Sequence, residues 1–213
     1  MSLYGEGYTR YQLERGVARK VVRRLYLDTA VRKLRGPTVD FGCGVGELLR
    51  RLPAGSLGLE INPVSVEHCR SEGLDALVYD GNADDWSLTI LDRQRGFQSL
   101  VASHVLEHLE RPMDKLSSLL RACNRLGMQR ALVIVPGRRG YESDNTHRTF
   151  IDEKMLADPQ VVDGTGFALS SKVYFPGNAR VIGEMFPHHE LQVLYEAVAP
   201  VGAGTTSGPS SRA

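Results

Sequence analysis

Residues 39–49 read Val39-Asp40-Phe41-Gly42-Cys43-Gly44-Val45-Gly46-Glu47-Leu48-Leu49. Just ahead, Pro37-Thr38-Val39 suits the end of a buried strand. Behind, Leu48, Leu49 and Leu52 suit the inner face of a helix, which the pattern predicts over 45–51. Three glycines at alternate positions let the backbone turn sharply and approach a ligand where any Cβ would intrude. The free N–H groups of the predicted helix would point into that turn. Strand, glycine turn and helix together predict a nucleotide-like cofactor at the carboxyl end of a parallel sheet.

Outward from this stretch, strands and helices alternate. Strands are predicted at 38–41, 56–60, 75–79, 98–103 and 130–135. Asn62 caps a helix that opens at Pro63 and runs to about 71, and another helix opens near Pro112. This rhythm is the signature of an α/β fold, a doubly wound sheet. After Pro136 the rhythm changes. A polar loop covers 137–147, a short helix 150–156, strands 167–175 and 191–198, and a helix 178–185 lies between those strands. The stretch 157–166 matches no pattern. Before the sheet, Leu13, Val17, Val21 and Leu25 form one apolar stripe of a helix that starts near Thr9 or Arg10. The chain therefore divides into an N-terminal arm and helix (1–35), a main domain (36–200) and a Gly/Ser/Thr/Pro tail (201–213) predicted to be disordered.

Size and composition narrow the class. The 213 residues suit one domain, and 42% hydrophobic with 24% charged residues is ordinary for a globular protein. No apolar run is long enough for a bilayer, so no membrane partner is expected. The N-terminus lacks a signal peptide's apolar segment, which predicts a cytoplasmic protein. Cys43, Cys69 and Cys123 are widely spaced without a CxxC pair, against a disulfide framework or a cysteine zinc site. A net charge of +1 gives no general pull toward nucleic acid. Residues 1–35 nevertheless carry nine Lys or Arg against three acids.

The carboxylates around the glycine turn sharpen its chemistry. A dinucleotide fingerprint needs a small residue at position 47, and Glu47 argues against it. Glu60 ends the second strand, where a carboxylate accepts hydrogen bonds from both hydroxyls of a ribose. Asp80 ends the third strand, placed for an adenine edge or amino group.

Over residues 36–150 the chain resembles the class I S-adenosylmethionine-dependent methyltransferases. Asp40-Phe-Gly-Cys-Gly-Val-Gly46 resembles that family's first motif, Gly58-Leu-Glu60-Ile-Asn-Pro63 its acidic second motif, and Ser103-His104-Val105-Leu106-Glu107-His108-Leu109 its fourth, as in the small-molecule branch. The resemblance implies a Rossmann-like, seven-stranded sheet with strand seven antiparallel between strands five and six. It implies S-adenosyl-L-methionine as cofactor. Glu60 would hold the ribose with Ile61 beside it, and Asp80 and Gly81 would face the adenine. Asp40, Gly42, Gly44, Gly46 and Ser103 would surround the rest, with His104 flanking the cofactor.

Methyl transfer from a sulfonium needs alignment and, for an oxygen or nitrogen acceptor, removal of a proton. Candidate bases are His104, His108 and His147. His147 follows strand five, at the carboxyl edge of the sheet, and is the favoured base, although it suits a loop-pinning role equally well. Asn145 or Arg148 would orient the substrate, and Tyr8 and Tyr11 belong to an arm suited to close over it. That arm has three open roles: lid, homodimer contact, or first layer over the sheet. His104-Val-Leu-Glu-His108 also matches a zinc-protease pattern, but it follows a strand and lies in frame with the other motifs. Glu107, Asp114, Asp144 and His147 are oxygen or nitrogen ligands for a divalent metal such as Mg2+. No Asn-Pro-Pro-Tyr-type motif of amino-group methylation is present. The favoured acceptor is a hydroxyl of a small molecule, in particular a sugar or oligosaccharide of the methylmannose polysaccharide type. Nucleic acid is disfavoured. Two alternatives remain: RNA or protein methylation through the basic N-terminal helix, and a non-catalytic subunit that keeps the cofactor fold.

Overall fold

The computed structural model describes residues 26–175 and 189–198. Seven strands form one sheet: β1 Thr38–Phe41, β2 Leu57–Glu60, β3 Ala76–Val78, β4 Ser99–Ser103, β5 Arg130–Pro136, β6 Phe167–Phe175 and β7 Glu190–Ala197. Their order is β3-β2-β1-β4-β5-β7-β6. The first five strands are parallel, while β7 runs antiparallel to both β5 and β6. This is the predicted topology, with the late antiparallel strand inserted beside β5.

Alternation along the strands sorts side chains to two faces. On β4 and β5, Leu100, Ala102, Ala131, Val133 and Val135 enter one core, whereas Val101, Leu132 and Ile134 enter the other. The first face is covered by the helix Pro112–Leu126, through Leu116, Leu119, Leu120 and Cys123. Gly127 ends that helix at φ 79°, a left-handed position. The second face is covered by the helical residues 26–33, whose Tyr26, Leu27 and Ala30 are buried there. For these residues, packing against the sheet is the observed role. Tyr8, Tyr11 and the basic stretch before residue 26 lie outside the described residues, as do the predicted helix 178–185 and the tail.

The helix Pro63–Ser71 forms as predicted, with the Asn62 side chain accepting from the Val64 N–H. The helix predicted over 45–51 does not. Residues 44–48 form turns, and only a single 3-10 turn, Leu49–Arg51, follows. Gly46 has φ 78°, which cannot continue a right-handed helix, and Pro53 forces Leu52 into an extended conformation (ψ 157°). Too few residues remain between these stops. The predicted 150–156 helix is confined to Glu153–Leu156, and the unassigned stretch contains a one-turn helix, Pro159–Val162, capped by Asp158. Among the described residues no helix is long and apolar enough to cross a membrane.

Candidate active site

Strand order reverses between β1 and β4, and a crevice opens beyond their carboxyl ends, the usual place for a ligand in such a sheet. Here it is a cavity of about 1120 Å³. That exceeds the few hundred to ~1,000 Å³ typical of a single small-molecule site.

One half is built from β1, β2 and β3. Asp40 is buried at the end of β1. The chain then turns at Gly42, φ 73°, where a Cβ would stand 2.4 Å from Val105 Cγ2. Its N–H and that of Cys43 both donate to the Leu59 carbonyl, locking the turn onto β2. Gly46 serves differently. It faces Leu74 and Cys69, not the cavity, so of the three glycines it is a packing residue. Glu60 is 9% exposed, and its carboxylate accepts from the Asn62 N–H (2.9 Å) and the Gly44 N–H (2.8 Å). Burial pushes its pKa up, while these backbone donors pull against it. The two oxygens offer about four lone-pair sites, so with Ile61 also donating to the group at least one remains for a ligand hydroxyl. Ile61, 42% exposed, and Asp80 continue the wall. Gly81 lies against the Trp86 indole, an aromatic wall that sequence inspection had not marked; Trp86 packs on Phe41 with centroids 5.3 Å apart. Its φ of 59° hides it from any periodicity.

The other half comes from the ends of β4 and β5. Ser103 ends β4, and His104 adopts φ 57°, a conformation rare outside glycine and common at functional sites. Its Nε2 lies 3.0 Å from Glu190 Oε1 and its Nδ1 3.2 Å from Glu107 Oε1. Burial disfavours charge on this ring, but Glu190 and then Glu107 outweigh it and lift its pKa to about 10. A ring so held is a cationic donor at neutral pH, which removes His104 from the base candidates.

His147 arrives from the loop after β5. That loop is tied back to the β4 side: the Arg148 and Thr149 N–H groups donate to the Glu107 carbonyl, and Thr149 Oγ1 donates to the Leu109 carbonyl. His147 Nδ1 sits 2.7 Å from the Tyr141 carbonyl, and the ring stacks on Tyr141. A carbonyl only accepts, so Nδ1 carries a proton, and in the neutral ring Nε2 is the free acceptor. Nε2 lies 3.9 Å from Glu107 Oε1. The His108 ring stands 4.8 Å away, centroid to centroid. Its Nδ1 faces the Thr146 carbonyl at 3.3 Å, which leaves its Nε2 bare as well. Burial lowers the pKa of His108, with Glu107 opposing. Sequence reading did not foresee that His108 and His147 would pair. The signal was distributed, a Glu-His pair on one loop and a lone His 39 residues later.

Asn145 and Arg148 lie on the exposed rim of the cavity, Arg148 paired with Glu110 at 3.0 Å. Asp144 accepts from Thr146 N and Oγ1, which holds its carboxyl below the usual range against the effect of burial. Of the four metal ligands expected from sequence, Asp114 is excluded. Its side chain is 68% exposed and faces Arg111, away from the cavity.

No protein-family model matches the sequence, and no curated sequence matches it. Solved structures do share the fold. A SAM-dependent methyltransferase from Archaeoglobus fulgidus superposes with a TM-score of 0.64 at 19% identity, over 90% of this chain and 100% of that one. Magnesium protoporphyrin IX methyltransferase from Synechocystis PCC 6803, with bound SAM, gives 0.62 at 12% identity, over 92% and 93%. The [4+2]-cyclase SpnF gives 0.56 at 17% identity, over 83% and 81%. The fold is therefore the Rossmann-like methyltransferase fold. The cyclase shows that the fold does not by itself name the reaction, which has to be argued from the site.

Proposed function

We propose that the chain is an S-adenosyl-L-methionine-dependent methyltransferase that methylates a hydroxyl of a small, polar acceptor, with a saccharide as the favoured class. The observation that carries this reading is the continuity of the cavity. It joins a glycine turn and a buried ribose-type carboxylate, Glu60, to a pair of imidazoles with bare Nε2 atoms. The fold likeness supports the cofactor.

The residues present fit that cofactor. Glu60 keeps acceptor capacity for a ribose hydroxyl, the missing Cβ at Gly42 lets Val105 pack onto the turn, and Asp80 and Gly81 beside Trp86 form a slot for a flat ring. Asp40, Glu47 and Glu60 make this half acidic, which suits a cation. When bound, the cofactor supplies a methyl group already activated on positive sulfur. The protein's work is then to align the acceptor, exclude water and take the hydroxyl proton. His147 Nε2 is placed for the last of these, with the Tyr141 carbonyl at Nδ1 behind it and Glu107 Oε1 3.9 Å from Nε2 to stabilise the charge gained. The rim favours a polyhydroxylated acceptor, because Glu142, Ser143, Asn145 and Arg148 offer donors and acceptors where an apolar substrate would need an apolar slot.

Calorimetry with S-adenosylmethionine tests the cofactor, and no binding at millimolar concentration would overturn the reading. For the proton acceptor, His147→Ala should lower turnover by roughly 10²- to 10⁴-fold with cofactor affinity unchanged. Wild-type turnover in that variant would remove His147 from the role.

A further inference from the structure

Glu107 has no exposed surface, and its Oε2 has no hydrogen-bond donor among the described residues. Its Oε1 is paired with the His104 ring, whose Nδ1 lies at 3.2 Å. A buried carboxylate in that state is costly, and it normally signals a missing partner. His147 Nε2 lies 3.9 Å from Glu107 Oε1, and the His108 ring stands beside that of His147, centroids 4.8 Å apart. One atom from each of Glu107, His108 and His147 lies within 4.8 Å of the others.

We propose that Glu107, His108 and His147 form a binding site for one divalent transition-metal cation, zinc or manganese, on the acceptor side of the cavity. Two imidazole nitrogens and one carboxylate oxygen favour such ions over Mg2+, which prefers oxygen ligands alone. A cation about 2.0–2.2 Å from each ligand needs ligand atoms roughly 3–3.5 Å apart, so small side-chain rotations close the set. The backing is already in place. The Tyr141 carbonyl fixes the His147 tautomer and the Thr146 carbonyl that of His108, the arrangement that orients metal-binding imidazoles elsewhere. The backbone bonds from 148 and 149 to the Glu107 carbonyl hold the two loops at one spacing.

Three protein ligands leave coordination positions open toward the cavity. An acceptor hydroxyl taking one of them would be positioned and made more acidic. This role, though not the binding itself, rests on the methyl-transfer reading. As the S–CH3 bond breaks, an O–CH3 bond forms, the sulfonium becomes a neutral thioether and the hydroxyl proton leaves to solvent. With the cation bound, the Nε2 lone pair of His147 is committed to it and no longer takes the hydroxyl proton, so this site replaces the base role given to His147 above, and removal of His147 stops turnover through loss of the cation.

The test uses the untagged full chain, stripped with a chelator and titrated with Mn2+ by EPR and with Zn2+ by calorimetry. One equivalent should bind, and Glu107→Gln and His108→Asn should each weaken binding at least tenfold, with circular dichroism verifying the fold. Asp114→Asn should bind as wild type. Absence of binding at 1 mM of either ion, or unchanged affinity in both ligand variants, would overturn the proposal. S-adenosylmethionine binding is measured on the same samples. Cofactor binding without cation binding refutes the metal site alone, and cation binding without cofactor binding supports it while refuting the methyl-transfer reading.

Discussion

The β1–β3 side of the cavity and the β4–β5 side are assembled differently. On the first, nearly everything lies within a few residues of a strand end, and the backbone itself is part of the ligand surface. Gly42 and Glu60 are joined through hydrogen bonds between adjacent strands. On the second, the chemistry depends on side chains brought together from distant loops. Glu107 and His147 meet because two loops are tied by N–H groups of Arg148 and Thr149. The first half reads as a generic holder and the second as the part that chooses the reaction. Substitutions should therefore separate binding of cofactor from turnover.

The largest separation is expected at His147. His147→Ala removes a group on the acceptor side only, so the fall of two to four decades in turnover should appear with the cofactor dissociation constant within threefold of wild type. A parallel loss of cofactor affinity would mean that the halves are not independent. Glu60→Gln probes the opposite side. The amide sets an NH2 group against one of the backbone donors, Asn62 or Gly44 N–H, and offers the ribose one fewer strong acceptor. Loss of a charged hydrogen bond costs about 1.5–3 kcal/mol, so cofactor affinity should fall roughly 10- to 100-fold. Turnover at saturating cofactor should barely change. Calorimetry and initial rates on one preparation settle both.

The same contrast explains what was legible in the sequence. The first half was readable because its determinants are local: an apolar strand, a glycine at a turn, a carboxylate at the next strand's end. Even the insertion of β7 beside β5 was expected, because the family resemblance carried it. The helix after the glycine turn was misread since the leucines repeat suitably, while the left-handed φ of Gly46 and the stop at Pro53 override that repeat. In the second half, His147 stood out only as a histidine in a suitable loop. Its partnership with His108, and the clamp of Glu190 on His104 across 86 positions, depend on which loops the sheet order makes neighbours. Trp86 was invisible for a third reason, a run of left-handed residues that follows no repeat.

A smaller effect tests how rigid the glycine turn must be. In Gly42→Ala the added Cβ meets Val105 Cγ2 at 2.4 Å and is held at φ 73°. The backbone term costs about 1–2 kcal/mol, and the contact adds to it. Denaturant unfolding should show a loss near 1–3 kcal/mol. Adding Val105→Ala relieves only the contact, so part of the loss should return. Full recovery would mean that the left-handed turn costs nothing here, and no recovery that Val105 is not the obstacle.

The smallest effect is expected on the rim. Arg148 pairs with Glu110, but both side chains are more than half exposed, 55% and 78%. Solvent screens such a pair, so Arg148→Ala should change stability by no more than about 0.5 kcal/mol. Its guanidinium nevertheless borders the cavity opening, where an incoming acceptor must pass. If the rim contributes to acceptor recognition, the substitution should raise KM for the acceptor several-fold while kcat and cofactor affinity hold. That pattern would place Arg148 on the recognising side of the cavity without any share in proton removal. A fall in kcat at unchanged KM would instead tie it to the loop that carries His147, since the Arg148 backbone already anchors that loop to Glu107.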